Sequence, residues 1–179
     1  NLPDGRVMPA GSPELRHELF SNLAGRAQFA AQFARPDSVL YDLGCSLGAV
    51  TQALRRHVRS DDCRVIAVDN SPSMVELGQE LARKHGLDNL EYRLGDIEAP
   101  PIKPGTVDLA LLSQALHHAQ KPSRALEAAW DILKSGGCLV VLDLLQHGQE
   151  EARELYADRW LGFTPAALES MLKEAGFRN

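Results

Sequence analysis

The chain has little cysteine, no long apolar run and no long basic run, and each shortage removes a class of explanation. Its three cysteines, Cys45, Cys63 and Cys138, are widely spaced and form no C-x-x-C pair. An odd, scattered set suggests neither a disulfide framework nor a zinc site, so no metal is expected and a reducing cytoplasm is the natural setting. No stretch approaches the ~20 apolar residues of a membrane span. The opening Asn1-Leu2-Pro3-Asp4-Gly5-Arg6 lacks the apolar core of a signal peptide. Lys and Arg are nowhere gathered into a phosphate-neutralising run and the net charge is -5, so charge does not indicate a nucleic-acid partner. The local group Arg55, Arg56, His57 and Arg59 reads as the solvated face of a helix.

What is present is ordinary globular material. With 179 residues, 44% apolar and 24% charged, the chain can bury one core and is far from the composition of a disordered segment. Residues 1–37 read as an N-terminal arm followed by a flanking helix that starts at Ser12-Pro13-Glu14 and runs to about Phe33. Its apolar positions, Leu15, Leu19, Phe20, Leu23, Ala27, Ala30 and Ala31, recur at three- and four-residue steps, leaving Arg16, Glu18, Arg26 and Gln28 outside.

Residues 38–179 alternate between short apolar runs and helical stretches. Runs at 39–41, 64–68, 107–112 and 138–145, with a shorter one at 90–94, suit parallel strands buried on both faces. Helices are predicted over 49–58, 72–85, 123–134 and 165–175, with a further one over 149–158. The fold class expected is α/β, a doubly wound and mostly parallel sheet.

In such a sheet, ligands bind beyond the carboxyl ends of the strands, where the strand order reverses. The first strand is followed by Asp42-Leu43-Gly44-Cys45-Ser46-Leu47-Gly48, whose glycines permit positive φ and let a ligand approach the backbone ahead of a helix N-terminus. Asp69 ends the second strand, where a carboxylate can accept both hydroxyls of a ribose. Asp96 follows the third and can accept the exocyclic amine of an adenine. Ser113-Gln114 ends the fourth, facing the place of a transferred group. Taken singly, the loop could be a tight turn, Asp69 a cap and Asp96 a turn residue; their order within one chain favours a binding site.

These segments, with Ile66-Ala67-Val68-Asp69-Asn70-Ser71-Pro72-Ser73-Met74 and Gly95-Asp96-Ile97, closely resemble carboxy-S-adenosylmethionine synthases, class I enzymes of tRNA wobble-uridine modification that act on S-adenosyl-L-methionine (SAM). Ser46, where most SAM methyltransferases have glycine, carries much of that likeness. The later segments Leu112-Ser113-Gln114-Ala115-Leu116-His117-His118, Leu142-Asp143-Leu144-Leu145-Gln146-His147 and Asp158-Arg159-Trp160-Leu161-Gly162-Phe163 are similar to SAM methyltransferase domains fused to ArsR-type regulators. Both resemblances imply a Rossmann-like class I methyltransferase fold and SAM as cofactor. SAM would lie on the 44–48 loop, its ribose on Asp69 and its adenine between Met74 and Ile97 with Asp96 at the amine. The candidate cofactor-binding set is Asp42, Gly44, Cys45, Ser46, Gly48, Asp69, Asn70, Met74, Asp96, Ile97 and Ser113, and the candidate catalytic set is Gln114, His117 and Arg159.

His117 or His118 would serve as base if one is needed, the alternative being a loop cap and a solvated ring. Arg159 would clamp a carboxylate, the alternative being a surface ion pair with Glu154 or Asp158. Trp160, Leu161 and Phe163 close over a substrate or join the core. Three readings compete: methyl transfer to an unidentified acceptor, a small molecule or RNA; carboxy-SAM synthesis from SAM and prephenate; and a non-catalytic SAM-binding module. A nicotinamide reductase is disfavoured because Gly44-x-x-x-Gly48 lacks the G-x-G-x-x-G spacing, and an arsenite methyltransferase because soft arsenic wants converging thiolates. The family resemblance also implies two further strands after Phe177, so the sequence reads as a piece of a longer protein or one whose open sheet edge a second copy would cover.

Overall fold

The computed structural model describes residues 23–58 and 62–178. The amino-terminal arm, the first half of the predicted flanking helix and Arg59 lie outside them. Five strands, β1 (Val39–Leu43), β2 (Arg64–Asp69), β3 (Leu90–Leu94), β4 (Val107–Ser113) and β5 (Leu133–Leu142), form one all-parallel sheet in the order β3-β2-β1-β4-β5. The helices are α1 (Leu23–Ala31), α2 (Ala49–His57), α3 (Pro72–Lys84), α4 (Pro122–Ile132), α5 (Ala152–Leu155) and α6 (Pro165–Glu174). No helix among the described residues is long and apolar enough to cross a membrane. This is the α/β doubly wound architecture expected from the alternation of apolar runs and amphipathic stretches.

The central strands β1, β2 and β4 are apolar on both faces because both faces are covered, whereas the edge strand β3 leaves Glu91 and Leu94 exposed. Leu40, Val65, Leu109 and Leu111 pack with Ala27 and Ala30 of α1 and Val50 and Leu54 of α2. Their neighbours along the strands, Tyr41, Ile66, Ala110 and Leu112, pack with Ala125, Leu126 and Ala129 of α4 and with Leu172 of α6. Burying each large aliphatic side chain contributes about 1.5–3 kcal/mol, and the two-residue period sends successive ones to opposite layers. From β1 the chain moves outward through β2 and β3, then returns to place β4 on the other side of β1. The crevice produced by that reversal opens at the carboxyl ends of β1 and β4.

Four local expectations are corrected. Arg26, read as solvent-facing, is turned inward: Nη1 donates to the Ser113 hydroxyl at 3.4 Å, and Nε is buried without a partner among the described residues. Arg55, read as part of a solvated basic face, is buried and donates to the Asp88 carbonyl at 2.7 Å, while Arg56 and His57 stay exposed. The helix expected over 149–158 shrinks to α5, because Ala157 takes a left-handed φ of 60° and Asp158 turns into the interior. The last strand starts at Leu133 and ends at Leu142 rather than spanning 138–145, its register broken between Val107 and Leu109 of β4.

Candidate functional site

The loop after β1 is built from main-chain hydrogen bonds to the neighbouring strand. The amides of Gly44 and Cys45 both donate to the Val68 carbonyl of β2, at 2.8 and 3.0 Å. Gly44 has φ 77°, and a Cβ there would strike the Ala115 methyl, so glycine is required both by the turn and by the close approach of β4. Ser46 adopts φ 50°, where a non-glycine side chain is strained, and its amide donates to Asp69 Oδ2 at 2.7 Å. The other oxygen of Asp69 accepts from the Ser71 amide at 3.0 Å. Asp69 therefore ties the glycine loop to the start of α3. A carboxylate has about four lone-pair sites, so each of its oxygens can still accept a hydroxyl.

Beyond β3, Asp96 Oδ1 accepts from the Glu98 amide at 2.9 Å, and Glu98 in turn accepts from the Lys121 amide at 3.0 Å. At the end of β4, Gln114 takes φ 57° and donates its amide to the Leu142 carbonyl of β5 at 2.7 Å. These strand ends converge on an open cleft of about 480 Å³, within the size range of small-molecule sites. Gly44, Ser46, Asp69, Asn70, Met74, Asp96, Ile97 and Gln114 line it, and Arg159 and His118 close its far side. Of the remaining residues predicted from sequence, Gly48 lies behind the loop against the Tyr92 ring and Ser113 is buried beside Arg26. Asp42 and Cys45 are buried beneath the loop. A second cleft, of about 560 Å³, is lined by Gln28, Arg35, Arg56 and Cys63 beside the amino ends of β1 and β2 and gathers none of the carboxyl strand ends.

The two groups beneath the loop have altered acidity. Burial pushes the Cys45 thiol well above its usual range, so it stays neutral. Burial raises the Asp42 carboxyl to about 6, against an opposing hydrogen bond from the Thr51 hydroxyl at 2.5 Å. A carboxyl whose pKa is higher in the folded state favours the fold below its unfolded value, near 4, and withdraws that contribution as pH rises through 6. The loss amounts to about 3 kcal/mol at most. Denaturant unfolding of the wild type and Asp42→Asn across this window should diverge on the alkaline side, the variant gaining relative stability. Parallel profiles would place the buried charge elsewhere.

The histidine pair divides. His118 is exposed and lines the cleft, whereas His117 is buried, with Nδ1 2.7 Å from Asp143 Oδ1 and Nε2 3.5 Å from Asp158 Oδ1. Asp143 also accepts from the amides of Leu116 and Leu144, both within 2.9 Å. Neither Asp143 nor Asp158 stood out in the sequence as part of a site. Asp143 directly follows β5 and so obeys the strand-end rule already used for Asp69 and Asp96, while Asp158 reaches the site only because the expected helix is cut short. Phe163 joins the core and stacks with the half-exposed Trp160, whose indole N–H donates to the Ala119 carbonyl at 3.0 Å.

Comparison with known proteins agrees with this geometry. A family model described as a methyltransferase domain matches residues 41–141. Carboxy-S-adenosyl-L-methionine synthases from Pseudomonas syringae pv. tomato and Pseudomonas fluorescens are each 42% identical, over 142 and 157 residues, covering 76% and 84% of this chain and 58% and 63% of those relatives. The chain thus spans about three fifths of the length of these curated relatives. A SAM dependent methyltransferase from Aquifex aeolicus superposes with a TM-score of 0.74 at 21% identity, covering 94% of this chain and 89% of that one, a likeness of fold. With more than half of its length matched by the family model and its strand ends arranged around one cleft, the chain belongs to the methyltransferase domain family.

Proposed function

We propose that the cleft binds SAM and that the chain directs its methyl group to a small-molecule acceptor. The observation that carries this reading is the convergence of Gly44, Asp69, Asp96 and Gln114, each at a different strand end, on one cleft. Asp69, with one lone pair of each oxygen already spent on a main-chain amide, retains acceptor capacity for a ribose diol. Met74 and Ile97 supply apolar contact for an adenine, and the unspent oxygen of Asp96 can accept its amine. SAM brings a sulfonium, which makes the methyl electrophilic and its own thioether a good leaving group. The protein is left to align donor and acceptor and to exclude water, effects worth several kcal/mol through proximity alone.

A second reading, carboxy-SAM synthesis, is favoured by the names of the Pseudomonas relatives and by Arg159 on the cleft wall, whose planar guanidinium suits a carboxylate. Calorimetric titration with SAM, followed by mass spectrometry of reaction mixtures with and without prephenate, tests both. SAM binding without a carboxylated product supports methyl transfer. A carboxylated product that disappears in Arg159→Ala, with SAM affinity retained, supports synthesis. No heat with either SAM or S-adenosylhomocysteine would sink both.

A further inference from the structure

Beside the cleft, His117 Nε2 and Asp158 Oδ1 face each other across a gap longer than a hydrogen bond. Asp143 fixes His117 with Nδ1–H directed at its carboxylate, 2.7 Å away. In the neutral imidazole that leaves Nε2 as a bare lone pair. Nε2 looks at Asp158 Oδ1 from 3.5 Å, and His118 Nδ1 lies 3.8 Å from the same oxygen. Both separations exceed the 2.7–3.2 Å of an N–H···O bond. They fit ligand atoms sharing one ion, since metal–nitrogen and metal–oxygen bonds of ~2.0–2.2 Å span such gaps at angles near or somewhat above tetrahedral.

We propose that His117, His118 and Asp158 form a site for a divalent transition-metal ion, zinc foremost, at the rim of the cleft. One ligand atom from each of the three lies within 4.8 Å of the others, and two of the three residues are buried; since two bonds of ~2.2 Å span about 4.4 Å at most, the exposed His118 ring turns toward the other two on ligation. Two imidazoles and one carboxylate are a donor set that first-row transition metals accept, with coordination positions to spare. The carboxylate of Asp143 behind His117 is the outer partner that a metal-bound imidazole ordinarily has.

The backbone holds the set in place. The His117 carbonyl accepts from the amides of both Arg159 and Trp160, at 3.1 and 3.0 Å, which clamps the Asp158 segment against the histidine pair. Ala157 sits in the left-handed region just before Asp158, with its carbonyl 3.3 Å from His118 Nδ1. On ligation, His118 exchanges that hydrogen bond for the ion. The charged groups facing the site are Asp143 behind it and Arg159 on the cleft wall, so the carboxylates outnumber the cation. An ion with three protein ligands keeps a position for a donor atom of the molecule in the cleft, where it would polarise a hydroxyl, thiol or amine.

The metal site stands apart from the SAM reading, because each is read by its own titration. The purified chain, stripped with a chelator, is titrated with Zn2+ and separately with Co2+, following heat and the visible absorption of cobalt. One ion per chain with micromolar affinity or better is expected, with cobalt bands of a four- or five-coordinate nitrogen and oxygen site. His118→Gln, an exposed change that leaves the core intact, and Asp158→Asn should each weaken uptake by about tenfold or more. No uptake by the wild type at micromolar metal, or uptake unchanged in both variants, overturns the proposal. The gap would then be bridged by a proton on His117 and the cluster would be a buried ion pair.

Discussion

Asp69→Ala should weaken SAM binding by about a hundredfold or more, as measured by calorimetry with SAM and with S-adenosylhomocysteine. Two hydrogen bonds from a ribose to a charged acceptor contribute roughly 1.5–3 kcal/mol each, and about 2.8 kcal/mol is a factor of a hundred. The carboxylate has a second duty: it receives the Ser46 and Ser71 amides, which join the glycine loop to α3. Asp69→Asn separates the two, since the amide oxygen can still take one of these donors while the charge is gone. It should fall between wild type and Asp69→Ala. An affinity within a few-fold of wild type in Asp69→Ala would mean that the carboxylate holds the loop alone and the ribose lies elsewhere.

The largest loss of stability is expected from Asp143→Ala. That carboxylate accepts from the Leu116 amide and from His117 Nδ1–H in a buried setting and from the Leu144 amide in a partly buried one. Its removal strands three donors, each worth about 1–3 kcal/mol when left unsatisfied. Partial entry of water limits the total to about 3–5 kcal/mol. For a chain of this size the melting temperature should fall by roughly 10 °C. Asp143→Asn retains one acceptor oxygen and should lose less. A shift of only a degree or two in Asp143→Ala would show that water replaces the carboxylate without cost.

The parts of the fold that follow from local apolar patterning were legible in the sequence. Val39-Leu40-Tyr41 and Arg64–Asp69 lie in strands because their neighbours cover both faces, and that requirement is written in each run by itself, whereas Leu90–Leu94, with Glu91 and Leu94 exposed, shows only as a shorter run. The same applies to Gly44, Asp69, Asp96 and Gln114, whose positions relative to strand ends are a matter of chain order. Contacts between distant segments were not legible. Arg26 has the spacing of an exposed residue on its own helix, yet the ends of β1 and β4 bring Asp42 and Ser113 close enough to draw it inward. His117 reads as a loop histidine until β5 delivers Asp143 and the segment after α5 delivers Asp158. The short α5 has the same origin: an ion pair between Arg153 and Glu150 supports the helix locally, but the left-handed Ala157 and the buried Asp158 end it.

The order β3-β2-β1-β4-β5 bears on when the cleft can exist during folding. β1 pairs with β2 through a short α2 crossover, so that half can form early, whereas Leu40 meets Leu109 only after the intervening chain has folded back. Closing a long loop costs entropy before the contacts it brings can compensate, which makes the β1 to β4 pairing a slow event. Gly44 and Gln114, at the ends of these two strands, come together at the cleft only once that pairing is complete. A species lacking β4 keeps Asp69, Met74 and Asp96 but has no place for Gln114, so a ligand that touches both groups binds the native state more tightly and stabilises it by that difference. Full-affinity cofactor binding followed in time after dilution from denaturant would then report the β1 to β4 pairing rather than the first appearance of the sheet.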